Sequence, residues 1–561
     1  MTKTQTRKIN IHSEKGFTGV DLTIAILILV LFVSIITTIF YNIYISSTSI
    51  KRSTIANGYA MDILEAIDKE NYEAIYTNSP AIQNIIQKEK IARGYTVTVA
   101  VEKYNETTGN TDKEDLVKTV TVTVEYKVGI KPEKVTMSKL KTAEVPYRDS
   151  LGIMPKLVEG MQPVKYVITN QQTGEGYWQA TTSSDPEWFD YEKKQWANVM
   201  LQDGLEIDTT SGKVTKMGSM LVYIPRYAYK IPKTNYHTNM AGTIDIKFLN
   251  TNNTCKDGSK EFIETEATSG DAGVEINSST NYMQHPAFTF GDTQLEGIWV
   301  GKFESSRADA GTTASNMGTN TQIAIKPNVT SWRNISVNDI FNNCINMKAI
   351  SAYGITTSIA DTHMMKNIEW GAVVYLAQSK YGKNAKIMPN NSIDYITGNA
   401  ANTANDIEIS GVTNAYQTIK GQQASTTGNI YGIYDMSGGA LEYVAAYIEG
   451  LQSVQTNANN LLLAASKYKD VYAQGVPENN QNNYNANKMK YGDAIWETSN
   501  GYANNNGSWN MEYSNYPFTN FGVFGRGGRC QLKSNSGIFF FSYNSGIPDS
   551  TQGFRVCLVA E

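Results

Sequence analysis

The sequence predicts an α+β fold: a long N-terminal helix packed on a small antiparallel sheet, followed by a large α+β unit rich in loops. Three observations predict it. No charged residue lies between Leu22 and Ile50, a run longer than the roughly 20 apolar residues with which a helix crosses a bilayer core. Apolar and polar residues then alternate at Tyr95, Val97, Val99 and Val101, and again at Val120, Val122, Val124, Tyr126 and Val128, the period of half-buried strands. The rest of the chain is short strand-like pieces between Asn-, Thr- and Gly-rich loops, with few helical stretches.

Composition excludes whole classes of function. The 561 residues carry 49 Lys and Arg against 53 Asp and Glu, a net charge of −4. A protein that holds a phosphate backbone is normally basic or carries a basic stripe, so no nucleic-acid partner is expected. Charged residues make up 18% of the chain, below the usual value of about 25%. Polar residues, 34 Tyr and 44 Gly take their place, which suits hydrogen-bonding loops and β-rich surfaces. With 4 Cys and 4 His, neither a disulfide framework nor a multi-zinc protein can be built.

The first sixteen residues are polar, with Lys3, Arg7, Lys8 and Lys15 set against Glu14. Cations ahead of an apolar helix keep that end in the cytoplasm and send the rest outward. The apolar run is too long for a cleaved secretory signal and no A-x-A-like site follows it, so the plain reading is a signal anchor. The string Gly16-Phe17-Thr18-Gly19-Val20-Asp21 supports a sharper one. It ends the basic leader in Gly, follows with an aromatic residue, and sets one acid at the lip of the apolar run. A carboxylate there is costly unless it finds a cation, and a free amine on Phe17 would be the nearest. The string resembles the type IV prepilin signature. That resemblance implies a leader at 1–16, cleavage between Gly16 and Phe17 by a prepilin peptidase, methylation of Phe17, and a helix at 17–50 that anchors the precursor in the membrane and later joins other pilin subunits. Asp21 would serve assembly, at a position where the family usually has Glu.

Past Ile50 the pattern stays helical but becomes amphipathic, with Ile55, Tyr59, Ile63, Ala66 and Ile67 near one face. A helix over about 17–76 would be roughly 90 Å long. The alternating segments that follow predict strands, joined through the polar stretch at 105–115, with a third strand around 135–140. This pilin-like domain is expected to span 17–145. Residues 146–165, with several Pro and Gly, read as a linker, and 166–561 as the second domain. Strands are expected at 220–224 and 297–303, and helices at about 337–347 and 364–381.

Within 166–561, Tyr431-Gly432-Ile433-Tyr434-Asp435-Met436-Ser437-Gly438 and the following Glu442-Tyr443-Val444 resemble a signature of the formylglycine-generating-enzyme and sulfatase-modifying family. Gly553-Phe554-Arg555, Arg526-Gly527-Gly528 and a helix containing Glu369-Trp370 match other strings of that family. The resemblance implies a C-type-lectin-like fold over most of 218–561. The enzymatic branch of the family oxidises a substrate cysteine with a pair of cysteines that hold copper. Here Cys530 has no second cysteine close by, and Cys557 is 557 − 530 = 27 positions on. The expectation is therefore no enzyme and no catalytic residue, with Cys530 and Cys557 as buried thiols or one structural disulfide. The four histidines (His12, His237, His285 and His363) form no i, i+4 ligand pair, so no metal site is expected from the residues. Asp435 and Glu442 are read as structural. The resemblance allows one cofactor, a calcium ion held through the residue after Met436-Ser437-Gly438, which here is Gly439.

The segment 491–544 is dense in aromatic residues, Ser, Gly and Asn. It reads as a binding surface of rigid rings and adaptable polar groups, or alternatively as core strands and loops. Trp509, Tyr513, Tyr516, Phe521, Phe524, Arg529, Gln531, Phe541, Tyr543 and Asn544 are the candidate ligand-binding residues. The span 526–555 also resembles the variable region of diversity-generating-retroelement target proteins, which would make Arg529, Gln531, Phe541, Tyr543 and Asn544 the varied positions. Taken together, the expectation is an exported pilin-like protein at the cell surface or in a pilus, an adhesin or minor tip subunit whose ligand is a surface protein or glycan. The alternatives are a formylglycine-generating-type oxidase and a pseudopilin of a secretion or DNA-uptake system.

Overall fold

The computed structural model describes residues 18–560 apart from 71, 104–116, 143–146, 262, 266–280, 309–321, 356–358 and 391–414. The chain divides into two compact units, residues 1–143 and 144–561, and is an α+β protein.

In the first unit, helix α1 (Gly19–Asp68) runs for 50 residues, about 75 Å at 1.5 Å per residue. Thr18 starts it. The Thr18 hydroxyl accepts from the Asp21 N–H, and the Asp21 carboxylate accepts from the Thr18 N–H at 3.1 Å, a reciprocal cap. Up to Ile50 its large apolar side chains, among them Leu29, Phe32 and Phe40, are exposed, apart from Ile45, which packs against the first unit's core. Beyond that point Ala56, Ala60, Ile63 and Ile67 are buried at the three-and-four spacing of one helix face.

That face packs on β1 (Tyr95–Lys103), β2 (Val117–Val128) and β3 (Lys131–Thr142), an antiparallel sheet in the order β1-β2-β3. Val120, Val122 and Val124 lie inward, with Val122 opposite Val99 on one side and Met137 on the other. On the opposite face Thr121 and Thr123 hydrogen-bond across to Ser138 and Thr136. The expected helix laid on a small sheet is thus present, but α1 ends at Asp68 rather than near 76. A second helix, α2 (Pro80–Lys88), follows and had not been expected. Its signal was legible: Ser79 caps it, Pro80 opens it, and Ile82 and Ile85 form its buried stripe. The stretch expected to join the strands, 105–115, lies outside the described residues.

Of the expected linker at 146–165, the described residues 147–165 belong to the second unit and contribute to its core. Ile153, Val158 and Met161 are buried, and Asp149 accepts the N–H groups of Leu151, Ile153 and Tyr191. Its glycines shape turns rather than loosen the chain. Gly160 has φ +87, and a Cβ there would stand 2.2 Å from the Gly354 carbonyl.

Two seven-stranded sheets organise this unit. The first uses β4 (Gln162–Ile168), β5 (Gly176–Ala180), β6 (Asn198–Met200), β7 (Met220–Pro225), β8 (Gly297–Gly301) and β9 (Ala360–Met364). The second uses β10 (Leu441–Ile448), β11 (Asp470–Tyr472), β12 (Ala503–Ser508), β13 (Glu512–Asn515), β14 (Val523–Arg526), β15 (Phe541–Asn544) and β16 (Gln552–Phe554). The last strand, β17 (Val556–Ala560), returns to the first sheet between β9 and β8. Strand order is β9-β17-β8-β7-β6-β4-β5 in the first sheet and β11-β10-β14-β15-β13-β12 in the second, with β16 beside β10. Helices α3 (Val337–Asn346) and α4 (Asn367–Ala377) fall at the expected places, except that Met364 ends β9, α4 starts only at Asn367, and it ends at Ala377 rather than near 381.

Candidate functional site

The strings that carried the second resemblance lie in the interior. Arg555 and Glu442 are almost wholly buried, and the Arg555 Nε donates to Glu442 at 3.0 Å. The same guanidinium donates to the carbonyls of Gly301 and Tyr434, tying β8 and the 431–444 string to the chain before β17. Burial pushes the Glu442 carboxyl up to about 7, against the pull of Arg555. Glu304, which sequence reasoning missed, completes this cluster; it accepts from the Ala440 N–H at 2.8 Å and from the Ser331 hydroxyl. Burial, with Asp435 and Glu442 nearby, holds its carboxyl well above the usual range. Arg526 crosses the ring of Trp370, whose indole N–H donates to the Ile538 carbonyl.

The position where the resemblance allows calcium does not fit the ion. A Cβ on Gly439 would stand 2.3 Å from Glu304 Oε1, so Glu304 fills the space a ligating side chain would need. The Gly439 carbonyl accepts from the Cys530 N–H, and Arg555 already supplies positive charge to the carboxylates.

The four cysteines are buried and form no disulfide, which removes the expected disulfide alternative for Cys530 and Cys557. Cys530 lies beside Arg333, Arg529, Gln531 and Thr551, around a crevice with no room for a water molecule. Burial and Glu304 push its thiol up to about 11. Such a thiol is protonated at neutral pH and is a poor nucleophile or metal ligand. Cys557 sits in different surroundings. It joins His363 and Glu369 in a buried trio whose nitrogen, oxygen and sulfur lie within 4.8 Å of one another, a juxtaposition that sequence spacing did not reveal. His363 Nε2 is 2.8 Å from Glu369 Oε1, and the Lys366 ammonium is 3.6 Å from the same oxygen. Although burial opposes it, His363 and Lys366 hold the Glu369 carboxyl down to about 2. The trio is a buried carboxylate with a cation already beside it.

The ten candidate ligand-binding residues separate into two groups. Trp509, Tyr516, Phe524 and Phe541 are core. Trp509 packs on Phe539 at 5.1 Å between ring centres, and Phe524 lies between Tyr472 and Tyr516. Phe524 is core because β14 is interior to its sheet and buried along its whole length, and Phe541 is the one buried residue of β15, its first; Trp509 and Tyr516 flank β13 at its two ends. The other six reach the surface at least partly. Phe521 is 39% exposed, and Tyr513, Arg529, Gln531, Tyr543 and Asn544 are half-buried.

Phe521 and Tyr543 meet, 5.0 Å apart, and Phe518 closes a three-ring cluster at 6.0 and 5.0 Å from them. A tight turn sets it. The Phe521 N–H donates to the Phe518 carbonyl at 2.7 Å, and Glu478 accepts from both the N–H and the hydroxyl of Thr519. Asn544 is fixed beside the rings because its Oδ1 accepts from the Tyr443 hydroxyl at 2.7 Å. Tyr513 and Arg529 stand apart from the cluster, Tyr513 stacking on Phe540 at 5.4 Å and Arg529 donating to Thr551. Four non-glycine residues between 510 and 533 have positive φ: Asn510, Met511, Thr519 and Lys533. Of these, Thr519 sits in the turn that sets the ring cluster. Phe518 and Glu478 were missed as site residues, though the Phe518-Thr519-Asn520-Phe521 turn was visible as a signal.

Gly16 and Phe17 lie outside the described residues. Asp21 is exposed and caps its own helix through Thr18. No protein-family model matches the chain, and no curated protein matches it. The fold defines an α+β protein with one N-terminal helix long and apolar enough to cross a membrane.

Proposed function

We propose that this is an exported, type IV pilin-like surface protein that presents its second unit as a C-type-lectin-like ligand-binding module, as an adhesin or a minor tip subunit. One observation carries the reading. The same helix leaves the uncharged, apolar stretch from Leu22 to Tyr44 exposed, yet buries Ala56, Ala60, Ile63 and Ile67 against its own sheet. The exposed half needs an apolar surrounding, a bilayer before assembly and neighbouring helices after it. The other half keeps it joined to the cargo.

Recognition is assigned to the ring cluster of Phe518, Phe521 and Tyr543. Its rings are held by a fixed turn, with the Glu478 carboxylate at Thr519 and the Asn544 amide beside them, which suits a glycan or a protein surface. The thiol chemistry supports a binding role over an oxidase, since Cys530 is protonated at neutral pH and Cys557 lies in another environment. Mass spectrometry of the mature N-terminus tests the proposal. Cleavage after Gly16 with a methylated Phe17 is the expected result. An intact Met1, a cut beyond Tyr44, or a full-length product dissolved in the cytosol would overturn it.

A further inference from the structure

A second cleft lies in the second unit, and it shares no lining residue with the ring cluster. It encloses about 590 Å³, within the roughly 300–1,000 Å³ of small-molecule sites. Its walls come from the first turn of α4, the edge strand β11 and the chain after the helix Asn480–Ala486. Ile368, Val471 and Met489 supply apolar surface, while Glu449, Asp470 and Lys490 supply charge.

The walls are fixed in place. Asp470 accepts from the Ile368 N–H at 2.8 Å. The Tyr472 hydroxyl donates to Asp493 and accepts from Asn367. Asn487 bonds both the N–H and the carbonyl of Ala473. Among the described residues Glu449, Asp470 and Lys490 make no salt bridge, although acids and a base line the same space. The Lys490 ammonium instead sits 5.5 Å from the centre of the Tyr472 ring. Charges of both signs around apolar surface, Glu449 and Lys490 at the exposed rim and Asp470 half-buried, match a ligand that carries both signs itself.

We propose that this cleft binds a zwitterion with an apolar body, an α-amino acid or a short apolar peptide, its ammonium toward Asp470 and Glu449 and its carboxylate toward Lys490. Burial raises the Asp470 carboxyl to about 6, with Lys366 and Lys490 pulling the other way; a bound ammonium would favour its charged form.

The test is calorimetric titration of the full chain in detergent with leucine, with trileucine and with N-acetyl-leucinamide, which keeps the apolar body and lacks both charges. Saturable binding of leucine or trileucine is expected, with N-acetyl-leucinamide inert. Binding of leucine assigns the site to free amino acids, and binding of trileucine alone assigns it to peptides. Lys490→Met, at an exposed position, should weaken binding about tenfold without changing the circular dichroism spectrum. Asp470→Asn should do the same. Absence of saturable binding by both zwitterions at millimolar concentration, equal binding of the uncharged analogue, or unchanged affinity in Lys490→Met would overturn the proposal.

Discussion

Arg555 and Glu442 form an ion pair with side-chain exposures of 0% and 1%, and the guanidinium gives two further donors to the Gly301 and Tyr434 carbonyls. Removing one member leaves the other charge stranded in a medium that cannot solvate it. Arg555→Ala is expected to cost about 3–5 kcal/mol, with Arg555→Lys also impaired because an ammonium cannot reproduce the fork. Urea denaturation of the detergent-solubilised chain, followed by tryptophan fluorescence, measures this. A loss below about 1 kcal/mol would put the pair outside the load the second unit carries.

Glu512 gives the fold an alkaline weakness. It is buried, accepts from the Phe539 N–H at 2.7 Å with one oxygen, and leaves Oε1 without a partner. Burial raises its carboxyl to about 8. Since the folded state holds the proton more tightly than the unfolded one, the stabilisation is complete below about pH 4.5 and is lost as pH rises through about 8. The apparent Tm should therefore fall between pH 5 and pH 9, and Glu512→Gln should flatten that fall. An unchanged pH profile in the variant would exclude Glu512 as its source.

Glu369 works in the opposite direction. Its carboxyl is held down to about 2, with His363 and Lys366 overcoming the opposing effect of burial. The stability it contributes is present above about pH 4.5 and disappears as pH falls through about 2. Glu369→Gln should lower stability at pH 7 and shrink the difference between pH 7 and pH 3. Equal losses at both pH values would contradict this.

The aromatic segment should divide by burial. Trp509→Ala empties a fully buried site and should cost about 3–5 kcal/mol. Phe521→Ala removes a ring that is 39% exposed and should leave the urea midpoint nearly unchanged while reducing binding on a glycan array or to immobilised surface protein. If Phe521→Ala retains full binding, the ring cluster is not the recognition surface.

The first unit offers a packing test. Ala60 is fully buried against the three-stranded sheet, so Ala60→Leu should overpack the contact and cost about 1–3 kcal/mol. Ile35→Arg, in the exposed apolar half, should instead release the chain from the membrane fraction.

Elements with a strong period were legible. The strands at 95–103 and 117–128 and helix α3 lie where alternation and apolar stripes put them, because one face of each is buried and the other is not. The linker at 146–165 was misread because Pro and Gly mark turns in a packed core as well as in a loose chain. In the aromatic segment, composition alone did not separate Trp509 and Phe541 from Phe521 and Tyr543, since an aromatic ring suits a core and a binding face equally.

By itself the sequence determined the uncharged stretch from Leu22 to Ile50 and the α+β class, because these follow from local periodicity and composition. Only the tertiary structure decided which rings are covered, that Glu304 stands beside Gly439, that His363, Glu369 and Cys557 meet, and that charges of both signs line the second cleft. Those facts depend on strands distant in the chain becoming neighbours, and a carboxylate's partners and a ring's exposure exist only once they have.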